Sequence, residues 1–274
     1  ETERIQTSFY RTGFPDIRRF PGGYQCITDL SGKAEKKEMN MERLKEALIS
    51  LDLPHDDETM EKFRRYMEGI LEWNQKLNLT AITDREEFIL KHFIDSLLCC
   101  GFAEYKESRT VIDVGTGAGF PGIPLSIVSP EKEFILADSL NKRLKVVSSL
   151  SGDLCLSNVR TIHGRAEELA RNKAYRESFD LCVSRAVANM AVLSEYCLPF
   201  LRKGGYLLAY KGPDGREEVK KAEKAISVLG GKCMRIEESP VEGFDHNIAV
   251  IEKIKNTPAK FPRKAGTPAK EPIF

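Results

Sequence analysis

At 274 residues the chain is long enough for one large domain, or for a catalytic domain with a smaller helical companion, and its 41% of hydrophobic residues can fill a sizeable core. A formal net charge of +1 excludes a global field that would draw in a polyanion, so any nucleic-acid contact must come from a local basic patch. No apolar run approaches the length of a membrane span, and the 7 scattered cysteines offer neither a C-x-x-C pair nor a histidine at zinc-ligand spacing, so we expect a cytoplasmic protein without membrane or metal partners.

Residues 1–38 mix Gly, Pro, Arg and isolated aromatics without helical or strand periodicity, and read as a poorly ordered extension ahead of a natural start at Met39 or Met41. Glu1, Glu3, Asp16 and Asp29 argue against a transit peptide, which avoids acids. Residues 39–105 turn helical, and we expect an N-terminal helical cap. Leu44, Leu48 and Leu51 share one face. After Pro54, Asp57 or Thr59 can cap a second helix carrying Phe63, Met67 and Ile70. A third run, Glu86 to Cys100, carries Phe88, Phe93, Ile94 and Leu97 behind an acidic first turn. Two polar clusters lie outside this apolar pattern. Asn74 and Asn78 fall four apart on one helical face, and His92, Asp95 and Ser96 fall within one turn. Inter-helix hydrogen bonding and substrate contact are equally open readings for both.

The stretch Thr110-Val111-Ile112-Asp113-Val114-Gly115-Thr116-Gly117-Ala118-Gly119-Phe120-Pro121-Gly122 organises the rest. Its first residues suit a buried parallel strand, its glycines a tight turn, and Pro121 the opening of a helix. Such a junction lets backbone approach a ligand closely and aims unpaired N–H groups at it. A dinucleotide fold wants G-x-G-x-x-G, whereas here Phe120 stands where the third glycine would fall, and no Gly-Lys-Ser/Thr follows to make a P-loop. An acid before G-x-G-x-G, with a second acid, Asp138, closing the next strand, resembles the S-adenosylmethionine-dependent methyltransferases of the Rossmann-like class. Asp138 can accept two ribose hydroxyls.

Strand and helix then alternate through residues 106–254. Strand Phe134–Ala137 leads to helix Lys142–Leu150, Val159–His163 to Ala166–Arg171, and Phe179–Ser184 to Leu193–Leu201. Strand Tyr206–Tyr210 leads to helix Glu217–Leu229, and strands Cys233–Glu237 and Ile248–Ile254 close the domain. This order predicts an α/β fold with a mostly parallel, doubly wound sheet and a ligand beyond the carboxyl ends of its strands. In residues 255–274 four prolines stand among Lys260, Arg263, Lys264 and Lys270. We expect no helix there, but a basic segment packed on the surface or a strip that meets phosphates.

Together these motifs resemble the bacterial 16S ribosomal RNA (guanine-N7) methyltransferase family, also called glucose-inhibited division protein B. The resemblance spans about residues 41–273. It rests on Trp73-Asn74 with Asn78-Leu79-Thr80, His92 with Asp95-Ser96-Leu97, the glycine turn, Asp138-Ser139 with Lys142-Arg143, Gly164-Arg165-Ala166-Glu167, Ser184-Arg185-Ala186, Lys211-Gly212 and Phe261-Pro262-Arg263-Lys264-Ala265-Gly266. It implies S-adenosyl-L-methionine (AdoMet) as cofactor and 16S ribosomal RNA or the 30S subunit as partner of a monomeric enzyme. It further implies a cofactor site at Gly115, Gly117, Gly119 and Phe120, with Asp138 near the ribose, Ala166 and Glu167 near the adenine, and Arg185 beside the methyl donor.

Arg185, Lys211, Asn74 and His92 are the candidates for orienting roles in catalysis, and Arg143, Arg165, Lys211, Arg263 and Lys264 for binding the RNA. Bland readings stand beside these. Glu167 also suits a helix first turn, and Lys211 is a phosphate clamp or a solvated loop charge. His55, His163 and His246 have no recognisable companions. A nucleophilic thiol needs a defined exposed loop, but no cysteine follows a loop proline and Cys182 lies inside a strand, and Ser184-Arg185-Ala186-Val187 stands where an exocyclic-amine methyltransferase would carry Asn/Asp-Pro-Pro-Tyr/Phe. Two rival functions are a binding module with a decayed cofactor site and a small-molecule methyltransferase. Intact Gly115, Gly117, Gly119 and Asp138 speak against the first, and the basic residues around the pocket against the second.

Overall fold

The apolar alternation of Val111 and Ile112 sends one side chain to each face of a sheet, and the computed structural model shows what covers each face. It describes residues 32–239 and 245–274, with side-chain packing from residue 41. The expectation for residues 1–31 lies outside the described residues. The end of that predicted extension is helical instead: α1 runs Gly32–Ser50.

The strands are β1 (Thr110–Val114), β2 (Glu133–Asp138), β3 (Val159–His163), β4 (Phe179–Arg185), β5 (Leu201–Lys211), β6 (Gly231–Glu238) and β7 (Asn247–Lys253). They form one seven-stranded sheet in the order β3-β2-β1-β4-β5-β7-β6, parallel through β5, with β7 antiparallel to both of its neighbours. The doubly wound sheet expected from the alternation is present. Val111, Leu136, Leu181, Val183, Leu208 and Val250 face one core, shared with α6 (Gly122–Val128), α7 (Asn141–Asp153) and the cap helices. Ile112, Val114, Cys182, Leu207, Ala209 and Ile251 face the other, covered by α9 (Met190–Cys197), α10 (Gly215–Lys221) and α11 (Glu223–Val228). The cap is thus packed into the same core as one face of the sheet.

Departures from the predicted elements have local causes. Pro199 ends the helix expected through Leu201 in a short 3-10 turn, and β5 starts at once. Thr267–Lys270 forms one helical turn in the tail, where no helix was expected, because Pro268 sits in its first turn and forfeits no hydrogen bond. The third cap run is continuous in direction but changes pitch, from Arg85–Phe88 through a π-helical stretch, Ile89–Ile94, to Asp95–Leu97 and a 3-10 turn at Leu98–Gly101. The π stretch rotates the side chains after it relative to a regular helix, and it carries His92. Scattered cysteines read as small buried apolar residues, and Cys99, Cys100, Cys182 and Cys197 are buried, but Cys155 is exposed and Cys233 half-buried.

The cap meets the sheet at the glycine turn. From α2 (Asp57–Asn74), the buried Tyr66 donates its hydroxyl to the Ala118 carbonyl at 2.7 Å, and its ring lies edge-on to Phe120 at 5.9 Å. Gly119 has φ 85°, and a Cβ there would overlap the Tyr66 hydroxyl. Two effects therefore demand glycine: the left-handed backbone and the close approach of the cap.

Tyr66→Phe should cost about 1–3 kcal/mol by leaving a buried carbonyl unpaired. Gly119→Ala should cost on the order of 2–4 kcal/mol through strain and overlap. The double variant should lose less than the sum by about 1 kcal/mol, because removing the hydroxyl relieves the overlap. Denaturant titration of the four proteins checks this, and strict additivity would contradict the contact.

Candidate active site

The first four strands in sheet order, β3-β2-β1-β4, end on the same side, and a cavity of about 300 Å³ opens over their carboxyl ends. Its lining takes in Gly115 after β1, Asp138 and Leu140 after β2, Ala166 and Glu167 after β3, and Val187 after β4. Arg143, Arg165 and Tyr196 complete its rim. The size suits a nucleoside-bearing ligand.

Asp138 organises this cavity from below. Its Oδ2 accepts from Gly117 N and its Oδ1 from Leu140 N, each at 2.8 Å, so one carboxylate ties the glycine turn to the β2 end. Each oxygen keeps a second lone pair. Gly117 has φ 58°, and a Cβ there would meet nothing nearer than 4.0 Å, where Arg143 and the Gly115 carbonyl stand. No protein side chain competes for that space, so a ligand can use it. Gly115 differs, because a Cβ there would overlap Val187 from the loop after β4. That loop begins with Ala186 at φ 57°, a conformation that L-residues hold only where the surroundings enforce it.

Asp113 at the β1 end is fully buried. Its Oδ2 accepts from Thr116 Oγ1 at 2.7 Å and from Gly122 N at 2.9 Å, and its Oδ1 has no hydrogen-bond partner. Burial pushes its pKa up to about 7, against the lowering pull of those two bonds and of Arg185.

Beside the cavity, Arg185 at the end of β4 reaches into the cap. Its Nη1 donates to Asp95 Oδ2 at 2.6 Å and to the Lys91 carbonyl at 3.0 Å, while Nη2 donates to His92 Nδ1 at 3.3 Å. The guanidinium also lies 5.4 Å from the Phe120 ring centre, and the His92 ring stacks on Phe120 at 4.4 Å. His92 Nε2 meets Thr80 Oγ1 at 2.8 Å. With Nδ1 accepting from a guanidinium, the proton of the neutral ring belongs on Nε2, where it donates to Thr80. Burial and then the Arg185 charge push the His92 pKa down to about 3. Asp95 also accepts from His246 Nδ1 at 3.0 Å. Burial raises the Asp95 pKa, but the His246 bond and the Arg185 charge outweigh it and leave the carboxyl below its ordinary range.

Several sequence expectations change in this light. The Arg185 fork, a candidate for an orienting role beside the methyl donor, is spent on the cap. Lys211 is neither a phosphate clamp nor a solvated charge, since its ammonium is held by Glu218 and the Ala188 carbonyl, each at 2.7 Å. Asn74 accepts from Leu79 N and Thr80 N and so closes the turn after α2. Phe120 packs between cap and sheet, within the cluster that Phe88, Phe93 and His92 complete, and does not line the cavity. Arg263 turns inward to Glu195 with contacts of 2.6–3.1 Å, so it is not part of an exposed basic strip, whereas Lys264 is exposed. His246, read as lacking a companion, has Asp95, a partner 151 residues away that spacing cannot disclose. Val187 and Tyr196 escaped the sequence reading because neither carries a chemical signature. Among the described residues, no cluster of three or more His, Cys, Asp or Glu is placed to hold a metal ion, and no helix is long and apolar enough to cross a membrane.

A family model described as GidB: rRNA small subunit methyltransferase G matches residues 59–244. The ribosomal RNA small subunit methyltransferase G of Clostridium novyi (strain NT) is 50% identical over 230 residues, 83% of this chain and 95% of that protein. Its counterpart from Clostridium tetani (strain Massachusetts / E88) is 50% identical over 232 residues, 84% of this chain and 97% of that one. Among solved structures, the branched-chain polyamine synthase C9 mutein from Thermus thermophilus aligns with a TM-score of 0.50 at 10% identity, over 70% of this chain and 64% of that one, a likeness of fold alone.

The raised Asp113 pKa makes a stability prediction. A folded-state pKa of about 7 against an ordinary 3.8 means that the stabilising contribution is complete below pH 3.8 and is lost as pH rises through 7. Asp113→Asn removes this titration. In urea titrations without ligand, the variant should gain stability relative to the parent by a few kcal/mol between pH 4 and pH 8. A difference that does not vary with pH would place the carboxyl's titration elsewhere.

Proposed function

The chain belongs to the rRNA small subunit methyltransferase G family, and on that premise we propose how its residues support AdoMet-dependent methylation of a guanine N7 in 16S ribosomal RNA. The observation that carries the assignment of the site is the cavity over the strand ends, with Asp138 at its floor and space beside Gly117 that no side chain fills. These residues fit AdoMet. Asp138 has lone pairs left for ribose hydroxyls, Glu167 an acceptor for the adenine amine, Ala166 a backbone N–H at the same end, and the turn from Gly115 to Gly119 backbone for the amino-acid end. When bound, AdoMet supplies an electrophilic methyl group on a positively charged sulfur.

Guanine N7 carries an in-plane lone pair and no proton, so the chain need not provide a base. His92 agrees with that requirement, because both of its ring nitrogens are occupied and it stays neutral through the working pH range. The protein's contribution is placement. Arg185 and Asp95 lock the cap against the β4 end, Phe120 and His92 fill the seam, and the cavity mouth keeps a fixed shape. Positioning of this kind supplies about 7–11 kcal/mol in well-oriented intramolecular reactions. Arg143 and Arg165 at the rim, with exposed Lys264, provide the positive charge for RNA phosphates. Arg263 and Lys211 are committed to internal carboxylates and take no part in it. We further propose that the enzyme works as a monomer in the cytoplasm, a location that its ribosomal substrate supports.

Methyl transfer from labelled AdoMet to 30S subunits, to naked 16S RNA and to free nucleosides tests the reading, with the modified base mapped by digestion. Label confined to free nucleosides would overturn it. Asp138→Ala should weaken AdoMet binding by about 1.5–3 kcal/mol, the value of hydrogen bonds to a charged acceptor, as measured by calorimetry.

In single turnover, methyl transfer should show no ionisation between about pH 6 and 8.5, and His92→Gln should leave that flat profile unchanged. Arg185→Lys should be slow despite keeping the charge, since an ammonium cannot bond Asp95, Lys91 and His92 with one planar fork. A neutral pKa that disappears in His92→Gln would require a proton-abstracting mechanism instead.

A further inference from the structure

The tail does more than cover the surface. Arg263 donates from its backbone N–H and its guanidinium to Glu195, a carboxylate only 1% exposed. Arg171 grips the Pro262 carbonyl at 2.7 and 3.0 Å, Arg176 grips that of Phe261 at 2.9 Å, and the Phe261 ring is buried in the core under α9. A bidentate arginine pair on a buried carboxylate fixes the backbone on either side of it. Three residues on, Gly266 donates its N–H to Glu167 Oε1 at 2.8 Å. Glu167 is 3% exposed and lines the cavity.

Glu167 needs such a hold. It sits in a helix of only four residues, Ala166–Leu169, whose N-cap makes no side-chain hydrogen bond, and a glutamate has three rotatable side-chain torsions. Gly266 adopts φ 84°, and a Cβ there would meet nothing within 4 Å. The glycine is therefore set by conformation and not by packing: the left-handed turn is what aims its N–H at the carboxylate.

We infer that the segment from Arg263 to Gly266 is a positioning element of the cofactor site, holding one oxygen of Glu167 so that the carboxylate presents an acceptor to the exocyclic amine of the ligand's purine. This rests on the reading that the cavity takes AdoMet with its adenine at Glu167. Its consequence is that the tail governs recognition of the cofactor's base.

The test is calorimetry with S-adenosylhomocysteine and with its inosine analogue, which carries a carbonyl in place of the amine. Gly266→Ala and Gly266→Asn are compared with the parent, and their unfolding midpoints are measured without ligand. The parent should prefer the adenosine ligand by about ten- to a hundredfold, the worth of one hydrogen bond to a charged acceptor. Gly266→Ala should lose most of that preference by weakening the adenosine ligand alone. Gly266→Asn should retain it, because asparagine tolerates the left-handed conformation and keeps the N–H. Equal weakening of both ligands in Gly266→Ala, or no change in either, would overturn the inference and leave the tail a structural brace. A parent that binds both ligands equally would also overturn it while leaving the methyltransferase reading intact. A parent that binds neither would overturn the cofactor reading itself.

Discussion

A carboxylate from the cap and a guanidinium from the end of β4 meet in a nearly dry seam, and the shape of the site depends on that bond. Asp95 is 1% exposed and Arg185 only 14% on their side chains. Removing either partner would strand a buried charge, at a cost of about 3–5 kcal/mol. The pair also sets its surroundings. It fixes the tautomer of His92, lays the guanidinium against Phe120, and brings His246 from beside β7 to the same carboxylate. Three segments distant in sequence are thus registered on one another beside the cavity.

This arrangement suits a reaction that needs placement more than proton transfer. His92, which titrates near neutrality in water, is driven out of that range by burial and a neighbouring cation. Asp113 is raised to about 7 by burial, but its Oδ2 is spent on Thr116 and Gly122. Asp138 serves as a fixed acceptor bound to the backbone at both oxygens. A rigid acceptor lattice of this sort holds a ligand without reorganising, which is how a methyl donor and a nucleophile with no proton to lose are best brought into line.

One acid of the cavity lining is held in place by the chain's last residues. Glu167, the second residue of the short helix Ala166–Leu169, and Glu195 in α9 are each occupied by the tail. Charges that look like an RNA-binding strip in the sequence are split by this packing. Arg263 goes inward to a carboxylate, and Lys264, its neighbour, goes outward to solvent. Basic composition alone cannot separate the two, because both meanings use the same residue type.

The family, the doubly wound sheet and the floor of the cavity are legible in the amino-acid order, because each rests on local physics. Short apolar runs that alternate with amphipathic helices pack as buried parallel strands, and the G-x-G-x-G turn followed by Asp138 brings a carboxylate to the carboxyl end of the neighbouring strand. Tertiary packing alone decided what each charge does. Lys211, Arg185 and Arg263 found carboxylates 7, 90 and 68 residues away, respectively, and His246 found Asp95 across 151. A buried charge takes whichever opposite charge the fold brings within reach. That choice is made by the packing of helices on the sheet, and spacing along the chain carries no record of it.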